Sequence, residues 1–229
     1  MSEPIAIVIP VYPGVTQLDF TGPHQVFARL PGATVTVASL GAQPVECDGL
    51  TFSGLANLSH VGACDVLCVP GGFGATAAAL DSAFMREINR LAAGSVWLTS
   101  VCTGSLILAA TGRLAGKRAA CHWAWRDLLE LFGAKPDPAR VVRDGHILTG
   151  GGVTAGVDMA LTLAAELRGE AVAQRIQLTL EYAPAPPFNA GRPETAPPEV
   201  VAKLRETLAP LMAQRRAEAE RAAKRLVGA

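Results

Sequence analysis

A cysteine stands between an apolar run and a helix-like segment in the stretch LTSVCTGS, residues 98–105. The run Ser95–Ser100 predicts a buried strand and residues 103–111 predict a helix, so Cys102 falls at their junction. Such a turn presents a nucleophile at the edge of a parallel sheet, and the N-terminus of the following helix favours a thiolate. We therefore expect Cys102 to be reactive, with a pKa below the free value of about 8.5. A buried structural cysteine is the alternative.

A glycine-rich turn follows another predicted strand, at Pro70-Gly71-Gly72. Glycines let backbone N–H groups approach an anion or a developing negative charge, and Gly72 is the candidate donor. The segment lacks the pattern of a phosphate-binding loop. An ordinary tight turn is the alternative interpretation.

An acidic residue, Asp19, lies between Leu18 and Phe20 after the first predicted strand. Apolar neighbours predict a partly desolvated carboxyl group with a raised pKa, which suits it to holding or relaying a proton. The alternative is that Asp19 accepts hydrogen bonds from loop amides and that Thr21 caps the next helix.

Short apolar runs alternate with helix-length segments, which predicts an α/β protein with a mostly parallel sheet and helices on both faces. In such a sheet the loops after the strands meet at one edge, so residues 12–22, 70–74 and 102–104 are expected to share a cleft. The predicted strands are Ile5–Val11, Thr34–Ala38, Asp65–Val69 and Ser95–Ser100, with a hairpin at Arg140–Thr149 around Asp144-Gly145. The predicted helices cover about 23–30, 75–80, 82–93, 103–111, 123–132 and 153–168.

The C-terminal part differs in composition from the rest of what we expect to be a single domain, residues 1–229. Residues 183–198 contain six prolines and cannot form a regular helix or central strand. A helical arm is predicted over about 198–226, with a break at Pro210. Its apolar positions recur at helical spacing, which predicts packing on the body or on a partner; they are Val200, Val201, Leu204, Leu208 and Leu211.

The charge balance is even, with 20 basic and 20 acidic residues, so no overall field favours nucleic acid or an anionic membrane. No apolar run is long enough for a membrane helix, and the first residues do not resemble a signal peptide. The five cysteines match no disulfide framework, and Cys64 and Cys68 lack a second pair of zinc ligands. We expect a cytoplasmic protein without a metal or cofactor, in which Cys68 is a core residue.

The combination of Asp19, Pro70-Gly71-Gly72 and the Cys102 turn resembles the ThiJ/PfpI superfamily over nearly the whole chain. This resemblance implies a flavodoxin-like sandwich with a cysteine nucleophile elbow, and a homodimer. Residues 100–123 (SVCTGSLILAATGRLAGKRAACHW) are similar to the subgroup that contains isocyanide hydratases and the sensor domains of some AraC-type regulators. Residues 181–197 (EYAPAPPFNAGRPETAP) are similar to the stand-alone hydratases.

The resemblance implies hydration of an isocyanide to an N-substituted formamide through a covalent thioimidate on Cys102. Asp19 is then the expected proton donor and later base. The Thr103 hydroxyl would position the nitrogen or the water, and the N–H groups of Gly72 and Thr103 would stabilise developing charge. His122 is expected to support the site rather than to react.

Several related activities are disfavoured by particular residues. Family peptidases have a histidine directly after the cysteine, where this chain has Thr103, and none of the four histidines begins the His-x-Glu of amidotransferases. Glyoxalase-like relatives use Glu where this chain has Asp19. Only about thirty residues follow the proline-rich segment, too few for the DNA-binding region of the regulators. A non-catalytic ligand or oxidation sensor based on Cys102 remains the alternative function.

Overall fold

The apolar runs form the central strands of a seven-stranded sheet in the computed structural model, which describes residues 3–227. Short two-stranded sheets at β3–β4 and β8–β9 lie outside it. The strands, in chain order, are β1 (Ile5–Pro10), β2 (Ala33–Ser39), β3 (Val45–Cys47), β4 (Leu50–Phe52), β5 (Ala56–Asn57), β6 (Val66–Val69), β7 (Trp97–Val101), β8 (Arg118–Ala119), β9 (Lys135–Pro136), β10 (Val141–Asp144) and β11 (Ile147–Gly150).

The order of the main sheet is β10-β11-β7-β6-β1-β2-β5, and each neighbouring pair is parallel except the β10–β11 hairpin. All residues of β6 and β11 are buried, because parallel strands are covered on both faces. The expected mostly parallel sheet is confirmed. So is the hairpin, in which Gly145 adopts the positive φ of 65° that its tight turn requires.

Two groups of helices pack on the sheet. One contains α1, α5 and α6, with α5 against β7 and β11, and the other contains α2, α4 and α7, with α4 against β6 and β7. The helices are α1 (Gln17–Phe27), α2 (Ala75–Ala78), α3 (Ser82–Gly94), α4 (Gly104–Ala109), α5 (Ala155–Arg168), α6 (Glu170–Thr179) and α7 (Pro198–Val227), with 3-10 helices at Leu40–Ala42, Leu58–His60 and Arg126–Phe132.

The first helix begins six residues before the expected position. It starts at Gln17 and contains Pro23, so Asp19 lies in its first turn rather than in a loop. Proline normally disfavours a helix interior. Here burial of Phe20, Val26 and Phe27 on one side of α1 outweighs the lost backbone hydrogen bond.

Three other local predictions need correction. The segment expected to be an α-helix from Trp123 is a 3-10 helix over Arg126–Phe132. Helix α6 and the small sheets were not predicted, because their short or weakly periodic segments carry little pattern. Residues 183–197, by contrast, contain no helix or strand, as their prolines predicted.

The C-terminal helix runs without interruption from Pro198 to Val227, so the break expected at Pro210 is wrong. Tertiary packing explains its continuity. Leu208 and Leu211 pack against the core on either side of the exposed proline, and Ala219 and Ala222 are buried further along. These contacts offset the roughly 3 kcal/mol that an interior proline costs a helix.

Candidate active site

The predicted elbow at Cys102 is present. Strand β7 ends at Val101 and α4 begins at Gly104, and Cys102 between them has φ of 56°, in the left-handed region. Side chains other than glycine rarely adopt this conformation and need support from their surroundings. The Ser100 and Ser105 hydroxyl groups provide such support by bonding to each other across the turn at 2.8 Å.

A glycine is required directly after the elbow. A Cβ atom on Gly104 would lie 2.2 Å from the carbonyl oxygen of Val69, at the end of the neighbouring strand β6. No real Cβ tolerates such a contact, so the start of α4 can approach β6 only with glycine at this position. Gly104 therefore keeps the turn at the nucleophile uncrowded.

The three predicted segments meet because β1, β6 and β7 are neighbours in the sheet. The Asp19 carboxyl group comes from α1, which follows β1, and its Oδ2 accepts a hydrogen bond of 2.9 Å from the Gly71 N–H. A Cβ on Gly71 would lie 2.5 Å from the Thr103 nitrogen and 2.8 Å from Asp19 Oδ2. Gly71 thus lies directly between the acid and the start of α4.

The Asp19 side chain is fully buried, and its Oδ1 has no hydrogen-bond partner among the described residues. Burial raises the pKa of this carboxyl group to about 7, although the Gly71 N–H and the neighbouring Cys102 thiol lower it. Asp19 is therefore equipped to hold a proton near neutral pH. The alternative role of Thr21 as a cap is wrong, because its hydroxyl bonds the Gln17 carbonyl from inside the helix at 2.9 Å.

The pKa expected for Cys102 needs correction. Burial raises the pKa of this thiol above its ordinary value, and the charges of Asp19 and Cys121 raise it further. The N–H and hydroxyl of Thr103 lower it, as expected of a helix start, but they do not compensate for the lost water. Asp19 and Cys102 are best described as a coupled pair, in which the Asp19 charge opposes ionisation of the thiol whereas the neutral thiol favours the Asp19 carboxylate.

Thr103 is buried, and its hydroxyl both donates to the Gly72 carbonyl at 3.1 Å and accepts from the Gly72 N–H at 2.9 Å. This pair of bonds ties the glycine turn to the elbow. The Gly72 N–H therefore already has an acceptor. Its expected role as a donor to developing charge stays a prediction, and it requires this bond to be exchanged.

Cys102 opens into a cavity of about 230 Å³ with a mostly apolar wall. The lining residues come from six parts of the chain: Thr16, Gly72, Phe73, Cys102, Thr103, His122, Trp125, Val153, Leu204, Leu208 and Arg215. Phe73 is 61% exposed although it is a large apolar side chain. The cavity is suited to a small molecule with an apolar side group.

His122 lines this cavity beside Trp125, with 4.9 Å between the ring centroids. Burial, and then the charge of Arg215, lower its pKa to about 4, so the ring is neutral at physiological pH. Its Nδ1 accepts from the Ala124 N–H at 3.3 Å, which assigns the proton to Nε2. A neutral ring fits the supporting role expected for His122.

Arg215 of α7 is the cavity residue that the sequence reasoning missed. Its side chain is buried although it is an arginine. A signal was present in the sequence, because Leu204, Leu208, Leu211 and Arg215 continue one apolar stripe at helical spacing. A cation on such a stripe is a candidate functional residue.

The part of the chain that the structure describes offers no metal centre. Among residues 3–227, no group of three or more His, Cys, Asp or Glu side chains is arranged to hold a metal ion. All five cysteines are free, and Cys68 is a buried core residue, as predicted. No helix in the described part of the chain has the length and apolarity to span a membrane.

The comparisons with known proteins agree with this geometry. The isonitrile hydratase of Pseudomonas putida is 48% identical over 217 residues, which cover 94% of this chain and 95% of the relative. A ThiJ/PfpI family protein from Pseudomonas syringae has a solved structure with a TM-score of 0.92 and 42% identity, covering 95% of this chain and 91% of its own. Drosophila melanogaster DJ-1beta superposes with a TM-score of 0.71 at 26% identity, over 80% of this chain and all of its own.

The structural neighbours share the parallel sheet and its helices, so the flavodoxin-like fold expected from the sequence is confirmed. The family model for DJ-1/PfpI proteins matches residues 5–166, which contain β1 to β11 and carry Asp19, the glycine turn and the Cys102 elbow. With its sheet, its elbow and most of its length matched, this chain belongs to the DJ-1/PfpI family.

Proposed function

We propose that this protein is an isocyanide hydratase, which adds water to R–N≡C and releases the formamide R–NH–CHO. The observation that carries the proposal is the pair formed by the buried acid Asp19 and its neighbour Cys102, which opens into a mostly apolar cavity. The 48% identity to an isonitrile hydratase over nearly the whole chain supports it. The apolar cavity suits an isocyanide whose R group is apolar.

In the first step the pair holds one proton. Because Asp19 ionises before Cys102, this proton lies mainly on the sulfur, and its transfer to Asp19 gives the reactive form, a Cys102 thiolate beside an Asp19 carboxylic acid. The sulfur attacks the electrophilic terminal carbon of the isocyanide, and the Asp19 proton is transferred to that carbon. The products are the thioimidate R–N=CH–S–Cys102 and an Asp19 carboxylate. A thiolate is a soft nucleophile that attacks this carbon directly, so the step uses neither a metal nor a cofactor.

In the second step water adds to the thioimidate carbon. Asp19 takes a proton from the water and passes it to nitrogen, which gives R–NH–CH(OH)–S–Cys102. The hydroxyl proton then returns to Asp19 as the C–S bond breaks, releasing the formamide and the thiolate. We expect the Thr103 hydroxyl to position the nitrogen or the water, which requires it to exchange a bond to Gly72. The Thr103 N–H stabilises the sulfur anion.

The test is an assay of the purified protein with cyclohexyl isocyanide, whose apolar ring suits the cavity. We expect formamide from the wild type, no formamide from Cys102→Ala, and an adduct on wild-type Cys102 with the added mass of the isocyanide. Cys64→Ala is the matched control. Cys64 precedes the N-terminal end of β6, whereas the glycine turn of the site follows its C-terminal end, so this variant should retain activity. Turnover by Cys102→Ala at the wild-type rate would exclude the mechanism.

A sensor based on oxidation of Cys102 is the alternative function, and the same assay separates the two. A sensor would form sulfenic or sulfinic acid with peroxide and would give no formamide at any isocyanide concentration.

The free state of the five cysteines supports a reducing compartment, and we propose the cytoplasm.

A further inference from the structure

Arg215 is the one charged side chain in the wall of the cavity into which Cys102 opens, as far as residues 3–227 are concerned. It lies near the middle of α7 and is only 1% exposed. Arginine is almost never fully buried unless it is paired with an acid, because removing its charge from water is costly. The surroundings of Arg215 should therefore contain a reason for its burial.

The contacts of the guanidinium group do not include an acid. Among the described residues, no carboxylate oxygen lies within the 4.0 Å limit of an ion pair with Arg215, and its Nε has no hydrogen-bond partner. One long bond of 3.4 Å joins Nη2 to the Gly72 carbonyl. The guanidinium carbon lies 4.3 Å from the centroid of the Trp125 ring and 5.2 Å from the centroid of the Phe73 ring.

The nearest acid on the same helix is already engaged. Glu218, one turn further along α7, bonds the Thr76 hydroxyl at 2.5 Å. Burial lowers the pKa of Arg215, while Cys102, Tyr12 and Glu218 raise it by favouring the cation. Arg215 and Cys102 line the same cavity, and of these groups an anion on Cys102 has the largest favourable effect on the Arg215 cation.

We propose that Arg215 supplies the countercharge for the Cys102 thiolate, and hence that α7 is part of the active site rather than an accessory arm. The aromatic rings hold the guanidinium group in the cavity wall without neutralising its charge, so its field remains available to the sulfur. Arg215 acts through Cys102 and is thus a positioning residue. It would favour the thiolate both as nucleophile and as the group that leaves from the adduct.

This role complements that of Asp19. Asp19 of α1 destabilises a negative sulfur when it is ionised, whereas an anion on the sulfur favours the cation on Arg215 of α7. The other titratable groups that feel this field are Tyr12, Cys121 and His122. Two of these are buried neutral acids and the third is a neutral imidazole, so none of them replaces the thiolate as an anion partner at neutral pH.

The inference rests on the proposed function in one respect, because it is the proposed reaction that requires a thiolate at Cys102. The test measures the thiolate directly and needs no isocyanide. The rate of alkylation of Cys102 by iodoacetamide is measured against pH, with peptide mapping to identify the modified cysteine. An Asp19→Asn background removes the coupled carboxyl group, so that the thiol titrates alone.

In that background, Arg215→Gln should raise the alkylation midpoint by about one pH unit or more, which is about tenfold less thiolate at a given pH. Arg215→Lys keeps the charge and should restore at least half of the shift. Arg216→Gln is the matched control, because it removes the same charge from a neighbouring exposed position and should leave the midpoint unchanged. Equal midpoints for Arg215→Gln and Arg216→Gln would overturn the proposal.

Glu218→Gln provides an independent arm if Arg215→Gln does not fold. It removes the negative charge that partly offsets Arg215 and retains an acceptor for Thr76, so the Cys102 midpoint should fall. An unchanged or higher midpoint in Glu218→Gln would therefore count against the countercharge.

Discussion

Asp19 and Cys102 are two acids buried next to each other, and their protons are held jointly. The carboxyl group has a pKa raised to about 7 by burial, and the thiol has a pKa raised by burial and by Asp19. Between the two ionisations the pair keeps a single proton. That singly protonated form contains both the nucleophile and the proton that isocyanide hydration requires.

The pH dependence of hydration follows from this pair. Below about pH 7 both groups are protonated and no thiolate is present, so kcat/KM should rise as the pH increases through about 7. It should stay high beyond the ordinary pKa of a cysteine, because the thiol retains the second proton. A kcat/KM that fell as the pH rose through 7 would contradict the shared proton.

Replacing the acid tests the same pair. Asp19→Asn should remain folded but slow hydration on the order of a hundredfold or more, the usual scale for a lost general acid. Asp19→Glu keeps the carboxyl group one methylene further out and should retain partial activity. Measured kcat values for the three proteins, with circular dichroism as the folding control, decide the matter. A wild-type rate in Asp19→Asn would reduce Asp19 to a structural role.

Asp19 should also make stability depend on pH. Its folded pKa of about 7 lies above the ordinary aspartic acid value of 3.8, so its favourable contribution to stability is present below about pH 4 and is lost as the pH rises through 7. The corresponding loss is at most about 4 kcal/mol. The free energy of unfolding of Asp19→Asn, measured in urea, should therefore rise relative to that of the wild type as the pH increases from 4 to 8. Parallel stability profiles for the two proteins would contradict the raised pKa.

At the scale of elements, the site depends on the close approach of the turn after β6 to the start of α4. The backbone of Gly71 contacts Thr103 and Asp19 at distances that leave no space for a side chain. Thr103 in turn holds both polar groups of Gly72. The acid and the nucleophile are thus placed by backbone contacts between neighbouring strands, and a shift of either turn would separate them.

Gly71→Ala should disturb this contact. The added methyl group would force Asp19 and Thr103 apart, destabilise the protein by about 1 to 3 kcal/mol, as overpacking usually does, and reduce kcat. Gly94→Ala is the matched control, because a Cβ there meets nothing within 4 Å and Gly94 ends helix α3. It should leave kcat unchanged. Equal effects of the two substitutions, in thermal unfolding and in the isocyanide assay, would show that the Gly71 contact is unimportant.

At the scale of the whole molecule, α7 carries apolar side chains that are exposed to solvent in the single chain. Val200 and Leu204 in its first turns are 49% and 42% exposed, whereas Leu208 and Leu211 further along pack on the core. The stripe predicted from the sequence therefore continues past the edge of the body. A second copy of the chain would account for this exposed part.

We predict a homodimer on this basis. Sedimentation or light scattering at micromolar concentration should give twice the monomer mass of 23.8 kDa. Val200→Glu places a charge on the exposed stripe and should weaken the association if α7 contributes to it, while Ala202→Glu controls for the added charge. A monomer mass throughout the concentration range would refute the dimer.

The sequence alone determined the layers of the fold and the identity of the central pair. Short apolar runs alternating with helices require a covered parallel sheet, and the order of the chain then brings the segments of Asp19, Gly71 and Cys102 to one edge. These are local patterns, or follow from topology. They could be inferred because strand period and glycine chemistry depend little on the rest of the protein.

Only the tertiary structure decided how the groups act on one another. The sign of the Cys102 pKa shift depends on burial and on the distance to Asp19, neither of which a helix-start pattern contains. The continuity of α7 through Pro210 and the burial of Arg215 beside the active-site cavity depend on contacts with residues far away in the chain, such as Gly72, which lies 143 positions before Arg215. Such contacts determine how far each titratable group is removed from water and which charges lie near it. These two effects determine which residues ionise.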